Sequence, residues 1–153
     1  MSRLENRIPP PFVAAAFALG MRGVASWTPG ASVQFPGQAL AVAALLAAGF
    51  GVIAISIIQF SRARTTVNPL NPAAASALVT SGIFRLTRNP MYLGMALILA
   101  ALAVWFGNAV CVLLLAGFVA YINRFQIAPE ERALRAHFGE AFDAYARKVR
   151  RWI

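Results

Sequence analysis

Two short groups of residues in this chain could do chemistry. The first is Arg85, Arg88, Asn89, Pro90 and Tyr92, within the stretch LVTSGIFRLTRNPMYLG at 78–94. The second is Pro129, Glu130 and Glu131. Asn-Pro reads as a helix start, because Asn is a favoured N-cap and proline at the first helical position gives up only an amide hydrogen that was unpaired anyway. A helix N-terminus with free amide hydrogens and an adjacent arginine can hold an anionic group. Neighbouring carboxylates can take a ribose diol, an ammonium or a sulfonium. Together these groups suit a zwitterionic ligand that contains a nucleoside. Each also has a plainer reading. Acidic residues in a first turn complement the helix dipole, arginines beside apolar segments set topology, and a tyrosine there anchors at the interface. Coincidence on one face is what favours chemistry.

The elements that must position these groups are apolar. Of the 153 residues, 59% are hydrophobic and 12% charged, with mean hydropathy +0.66. Soluble domains carry nearer ~25% charged residues, because their surfaces face water. The chain therefore reads as one all-α integral membrane domain over 1–153, with about four transmembrane helices near 11–27, 38–60, 90–106 and 109–126. The first is the weakest, interrupted by Arg22, with Trp27 as an interface anchor. The second is the clearest, and at 1.5 Å per residue it rises roughly 34 Å, enough to cross a hydrocarbon core. Along it Ala44, Ala48, Gly49 and Gly51 offer either a close-packing face or plain filler. The third is short for a full span, and Gly107-Asn108 turns it into the fourth.

Charge sets the expected orientation. Fourteen basic residues face five acidic ones, net +9. Four arginines lie in the link at 61–89, which also holds two Asn-Pro turns, and six of the fourteen basic residues lie beyond Ala128. By the positive-inside rule both segments are cytoplasmic, as are both termini. The excess of charge reads as topology; no nucleic-acid partner is expected. Leu134, Phe138, Phe142 and Tyr145 recur at three- and four-residue spacing among charges, so the C-terminal segment is a cytoplasmic amphipathic helix that Gly139 could interrupt. The single Cys111 allows no internal disulfide and reads as a buried membrane thiol. With one histidine, His137, no conventional His/Cys metal site is expected.

LVTSGIFRLTRNPMYLG followed by EERALRAHFGEAFDAYARKVRRW resembles the isoprenylcysteine carboxyl methyltransferase family and its bacterial, phospholipid methyltransferase-like relatives. The family pattern is LVTxGxYxxxRHPxYxG, then EExxLxxxFGxxYxxY. Both blocks stand in order, with one apolar hairpin between them, over roughly 65–152; the first two spans match only in being apolar. The resemblance implies a membrane methyltransferase that uses S-adenosylmethionine, with cytoplasmic site elements at 65–94 and 128–152. It implies that Ser76, Ala77, Leu78, Val79, Arg88, Asn89, Tyr92, Gly94 and Glu130 wrap the cofactor. Arg88, Glu131 and Gln126 take the catalytic and substrate-facing positions. Departures fall at Ser76 and Asn89, where the family has histidines, at Phe84 for a tyrosine, and at Gln126. In the prenylcysteine enzymes the position of Gln126 is an arginine that faces the substrate carboxylate.

Methyl transfer from a sulfonium needs in-line approach more than acid–base catalysis, so positioning can supply most of the acceleration. A carboxylate acceptor arrives ionised; an amine must lose a proton, to Glu131 or water. The expected partner is a hydrophobic small molecule or lipid that enters laterally from the bilayer, and the sequence leaves oligomeric state open. Two other classes of function compete. One is a non-enzymatic membrane module whose basic tail binds anionic lipid or a protein. The other is a membrane reductase of related C-terminal layout that uses a nicotinamide cofactor.

Overall fold

The computed structural model describes residues 5, 7–63 and 77–153. Ser76, Arg64 and the two Asn-Pro turns lie outside them. Helix α1 spans Pro10–Trp27, α2 Gln38–Arg62, α3 Pro90–Phe106, α4 Ala109–Ile122, α5 Ala128–Phe138 and α6 Glu140–Lys148. No named strand occurs among the described residues.

Helix α1 starts where the prolines predict, with Pro10 in its first turn. Thr28 closes it, both its N–H (2.9 Å) and its hydroxyl (2.7 Å) donating to Val24 O. Asn108 then ties two ends together. Its Oδ1 accepts from Val110 N (2.9 Å), capping α4, while its Nδ2 donates to Thr28 O (3.0 Å). The main core lies between α1, α3 and α4, around Met21, Leu99, Phe118 and Ile122, with Phe17 set edge-on to Phe118 at 5.7 Å. Cys111 is buried and free there, as expected.

Helices α2 and α3 cross at two glycines. A Cβ on Gly49 would lie 2.9 Å from Gly94 O, and one on Gly94 2.7 Å from Gly49 O and 2.5 Å from Ile53 Cγ1. Gly51 meets nothing within 4 Å. Of the small residues along α2, Gly49 is thus the one that permits close approach, where lipid supplies no hydrophobic driving force between helices.

Among the described residues two helices are long and apolar enough to cross a membrane: Gln38–Arg62, and Ala109–Phe138 taken as one continuous helix. Pro90–Phe106 is apolar but shorter. The sequence predicts a break near 126–128, and the structure has none. A π turn at Asn123–Ile127 carries α4 straight into α5, with Ala128 N–H donating to Asn123 O. Proline at 129 has no N–H and its ring would strike the carbonyl one α-turn back; a local π turn accommodates both faults without ending the helix. The break comes at Gly139 instead, at φ 51°, ψ −126°, a conformation that only glycine adopts at low cost.

Beyond it α6 folds back, and Phe84, Phe142, Tyr145 and Val149 form a second core, with Leu78, Val79, Leu134 and Phe138 packed on it. The amphipathic face expected at 134–145 is this core's wall. Phe60, near the end of α2, meets Phe84 edge-on at 5.1 Å. The linker before α3 is thereby held against α2, α5 and α6 together.

The α2–α3 crossing makes a direct prediction. Gly94→Val should cost about 1–3 kcal/mol through overpacking against backbone, whereas Gly51→Val should stay within about 0.5 kcal/mol. Thermal unfolding in detergent, followed by circular dichroism, distinguishes them; equal losses would mean that the crossing is not the constraint.

Candidate functional site

The site begins with Arg88, just before α3. Its backbone N–H donates to Arg150 O (2.9 Å), and its Nη1 to Ala146 O (2.8 Å) and Val149 O (2.6 Å). Those carbonyls lie at the C-terminal end of α6, where unpaired acceptors and the negative end of the dipole attract a cation. Its Nη2 meets Glu131 Oε1 at 2.6 Å, both side chains being nearly buried (12% and 13% exposed). Arg151 completes the group, with Nε to Glu131 Oε1 at 2.9 Å and Nη2 to Oε2 at 2.7 Å. One carboxylate is therefore gripped by two guanidinium groups from two segments.

Around this grip the backbone is laced. Thr87 Oγ1 donates to Arg151 O (2.9 Å) and accepts from Asn89 N (3.1 Å). Asn89 Nδ2 also donates to Arg151 O (3.0 Å). This corrects the expected cap: Asn89 holds the N-cap position of α3 but makes no side-chain cap bond. Its amide is drawn to the 149–152 segment, and its own N–H is taken by Thr87.

One turn into α3, the Tyr92 hydroxyl donates to Glu130 Oε1. Arg88, before the start of α3, and Tyr92, in its first turn, meet the neighbouring Glu131 and Glu130 of α5. The result is a ladder of two rungs from α3 and the residues just before it to α5, Arg88–Glu131 and Tyr92–Glu130. The two groups of residues singled out in the sequence are thus in contact.

The two carboxyls lie past the apolar run of their helix and differ in kind. Burial pushes Glu130 up, to about 8; the Tyr92 hydrogen bond acts against this, and the charge of Glu131 adds to it. Burial would also raise Glu131, but hydrogen bonds from Arg151 and Arg88, with their charges, outweigh it and hold the carboxyl below its ordinary range. The hydrogen bond to Glu131 in turn raises Arg151. Adjacent acids whose environments push them apart can take different roles.

The remaining residues named from the sequence are distributed more widely. Leu78 and Val79 pack on the second core; Ala77 precedes them, partly buried. Gly94 lies at the α2–α3 crossing, where packing alone accounts for its size. Gln126 is fully buried in the π turn and bonded to neither rung; its Nε2 donates to Ile8 O (2.9 Å) and its Oε1 has no partner. Sequence reasoning missed Arg151, Thr87 and the bond from Trp152 Nε1 to Asn123 Oδ1 (3.1 Å). Arg151 carried no signal, since it stands in a run of basic residues that topology alone explains.

A zwitterionic amino-acid group finds matching chemistry here. Arg88 Nε is a buried donor without a partner, and among the described residues Tyr92 is the one donor to the Glu130 carboxyl. A carboxylate can take the first and an ammonium the second.

Two expected outcomes follow from this geometry. Arg88→Lys keeps the charge but cannot fork to two carbonyls and a carboxylate, and should lower stability by about 2 kcal/mol in chemical denaturation, being a cut in a nearly buried network; unchanged stability would show the fork to be dispensable. Tyr92→Phe removes the donor that favours ionised Glu130, so the infrared band of the protonated carboxyl should persist to higher pH than the wild-type midpoint near 8, and vanish in Glu130→Gln. A midpoint that falls in Tyr92→Phe would refute the Tyr92–Glu130 bond.

Comparison with known proteins gives this geometry a family. An uncharacterized protein of Haemophilus influenzae is 46% identical over 63 residues, 41% of this chain and the whole of that protein. No solved structure matches. The family model described as phospholipid methyltransferase matches residues 38–141, reaching back over α2, where the sequence showed likeness only in being apolar. That match takes in both rungs of the ladder, and the chain belongs to the phospholipid methyltransferase family, a membrane methyltransferase acting on lipid-type substrates.

Proposed function

We propose that this protein transfers a methyl group from S-adenosylmethionine to the headgroup amine of a membrane lipid, at the ladder between α3 and α5. The observation that carries the reading is the coexistence at one end of the bundle of an unpartnered buried Arg88 Nε and a partly buried Glu130 with a single donor. Arg88 would hold the carboxylate of the methionyl part and Glu130 its ammonium, with Tyr92 fixing the Glu130 rotamer. Bound there, the cofactor supplies an electrophilic methyl on a sulfonium. Asn89, Gly94, Leu78, Val79 and, beyond the described residues, Ser76 are carried over from the family pattern as the rest of the lining.

Glu131 then acts by position. Held ionised by two arginines, it is a weak proton acceptor and a strong anchor for Arg88 and the 149–152 segment. The acceptor amine loses its proton to water at the interface, and the chain's contribution is alignment. Gln126 favours an amine over a carboxylate acceptor. Its Nε2 is committed to Ile8 O, so its buried Oε1 is left without a donor. An N–H satisfies that oxygen, whereas a carboxylate would add a second unpaired acceptor.

The membrane placement belongs to the same reading. Helices α1 and α3 complete four spans with the two longer apolar helices, and the arginine-rich linker and the α5–α6 end face the cytoplasm of a bacterial inner membrane. The family match favours neither the non-enzymatic module nor the reductase.

Calorimetry in detergent tests the cofactor. S-adenosylhomocysteine should bind wild-type protein and bind Glu130→Gln at least about tenfold more weakly, the loss of a charged hydrogen bond; absence of binding to wild type refutes the assignment. Incubation of methyl-labelled cofactor with phosphatidylethanolamine vesicles tests the acceptor. An alkali-stable label on the lipid nitrogen is expected, and phosphatidylethanolamine left unlabelled would refute the amine acceptor.

A further inference from the structure

Four cations outside the ladder lie on the two segments that it joins. Arg85, Arg147, Lys148 and Arg150 are exposed, and none is in an ion pair among the described residues. The acids of this end are otherwise committed: Glu131 to Arg88 and Arg151, and Asp143 to Arg135 at 2.7 Å. Glu140 stands in the first turn of α6, at the end away from Arg147 and Lys148.

These cations are adjacent by construction. The Tyr145 hydroxyl donates to Phe84 O (2.7 Å) and Arg88 N–H to Arg150 O (2.9 Å), so the 85–87 stretch is pinned at both ends to the segment that bears the other three. Between them Leu86 is 71% exposed, an apolar side chain in an otherwise charged surface. The Phe60–Phe84 contact sets this surface level with the end of α2's apolar run, where Arg62 is also exposed. Four like charges on two bonded segments repel one another; anionic groups beneath both would turn that repulsion into a bridge.

We propose that Arg85, Leu86, Arg147, Lys148 and Arg150 form a face that docks on anionic headgroups of the same bilayer, with Leu86 inserted below them. The docking holds the linker against the 149–152 segment. Each segment turns one arginine outward to lipid and a near neighbour inward to Glu131: Arg85 and Arg88 on one, Arg150 and Arg151 on the other. The inference rests on the protein residing in a bilayer and not on the identity of the methyl donor.

Hydrogen exchange tests it without cofactor. The full chain is reconstituted in nanodiscs of phosphatidylcholine alone and in discs with roughly one-third phosphatidylglycerol. Amides of 84–89 and 146–152 should exchange about tenfold more slowly in the anionic discs, and the difference should collapse in 1 M salt, where the screening length falls to ~3 Å. With Arg85, Arg147, Lys148 and Arg150 all changed to glutamine, exchange should be equal in the two lipids while α4 stays protected. Should that variant not fold, Arg147→Gln with Lys148→Gln, both exposed on α6, should lose part of the difference. Wild-type exchange that ignores lipid charge overturns the proposal and leaves the cations as topology determinants. So does inorganic phosphate that reproduces the slowing in phosphatidylcholine discs.

Discussion

The linkage from Arg88 through Glu131 to Arg151 is the constraint on which the membrane-surface end of this protein depends. Neither Arg88 nor Glu131 could sit nearly buried alone, since an unpaired charge there loses its hydration without replacement. Each is tolerable because the other is present, and each therefore fixes its own segment relative to the other's. Arg88 brings the start of α3, Glu131 the first turn of α5, and Arg151 the strand of chain after α6. Three elements distant in sequence meet at one carboxylate. The apolar helices need no such fastening; their contacts come from shape, as at Gly49 and Gly94.

Much of this was legible in the sequence, for a definite reason. Charged and polar residues beside long apolar runs are few, so their types and order carry information that a soluble surface would dilute. Arg88, Tyr92, Glu130 and Glu131 stood out on those grounds, and the turn at Gly107-Asn108 was enough to bring them together. The face Leu134, Phe138, Phe142 and Tyr145 was likewise readable from its spacing, since it had to cover something apolar.

What was not legible depends on which of several donors wins. Asn89 has the right residue type and place to cap α3, but its Nδ2 donates to the Arg151 carbonyl, and in that orientation its oxygen takes no helix N–H. Arg151 itself is one of two consecutive arginines, and only folding decides that one turns to Glu131 while Arg150 turns outward. Pro129 signals a helix start in sequence; continuity through the π turn arises because Asn123 O can accept from Ala128 N. Gly49 and Gly51 are indistinguishable until α3 is docked.

The pairing of Glu130 with Glu131 shows how one helix turn can hold two acids in opposite states. Adjacent residues on a helix point about 100° apart, so Glu131 reaches the linker and tail where two guanidinium groups stand, while Glu130 reaches down α3 to a neutral phenol. The first environment removes proton affinity and the second adds it. An ammonium arriving at Glu130 would supply the positive partner the phenol cannot, and would draw the carboxyl back into its charged form. Binding of a cation at that rung is therefore coupled to proton release from Glu130 below the upper end of its titration. Glu131, already compensated, takes no part in that exchange. The ladder thus keeps its charge pair on one rung and its proton-holding carboxyl on the other, set by Arg88 before α3 and Tyr92 within it.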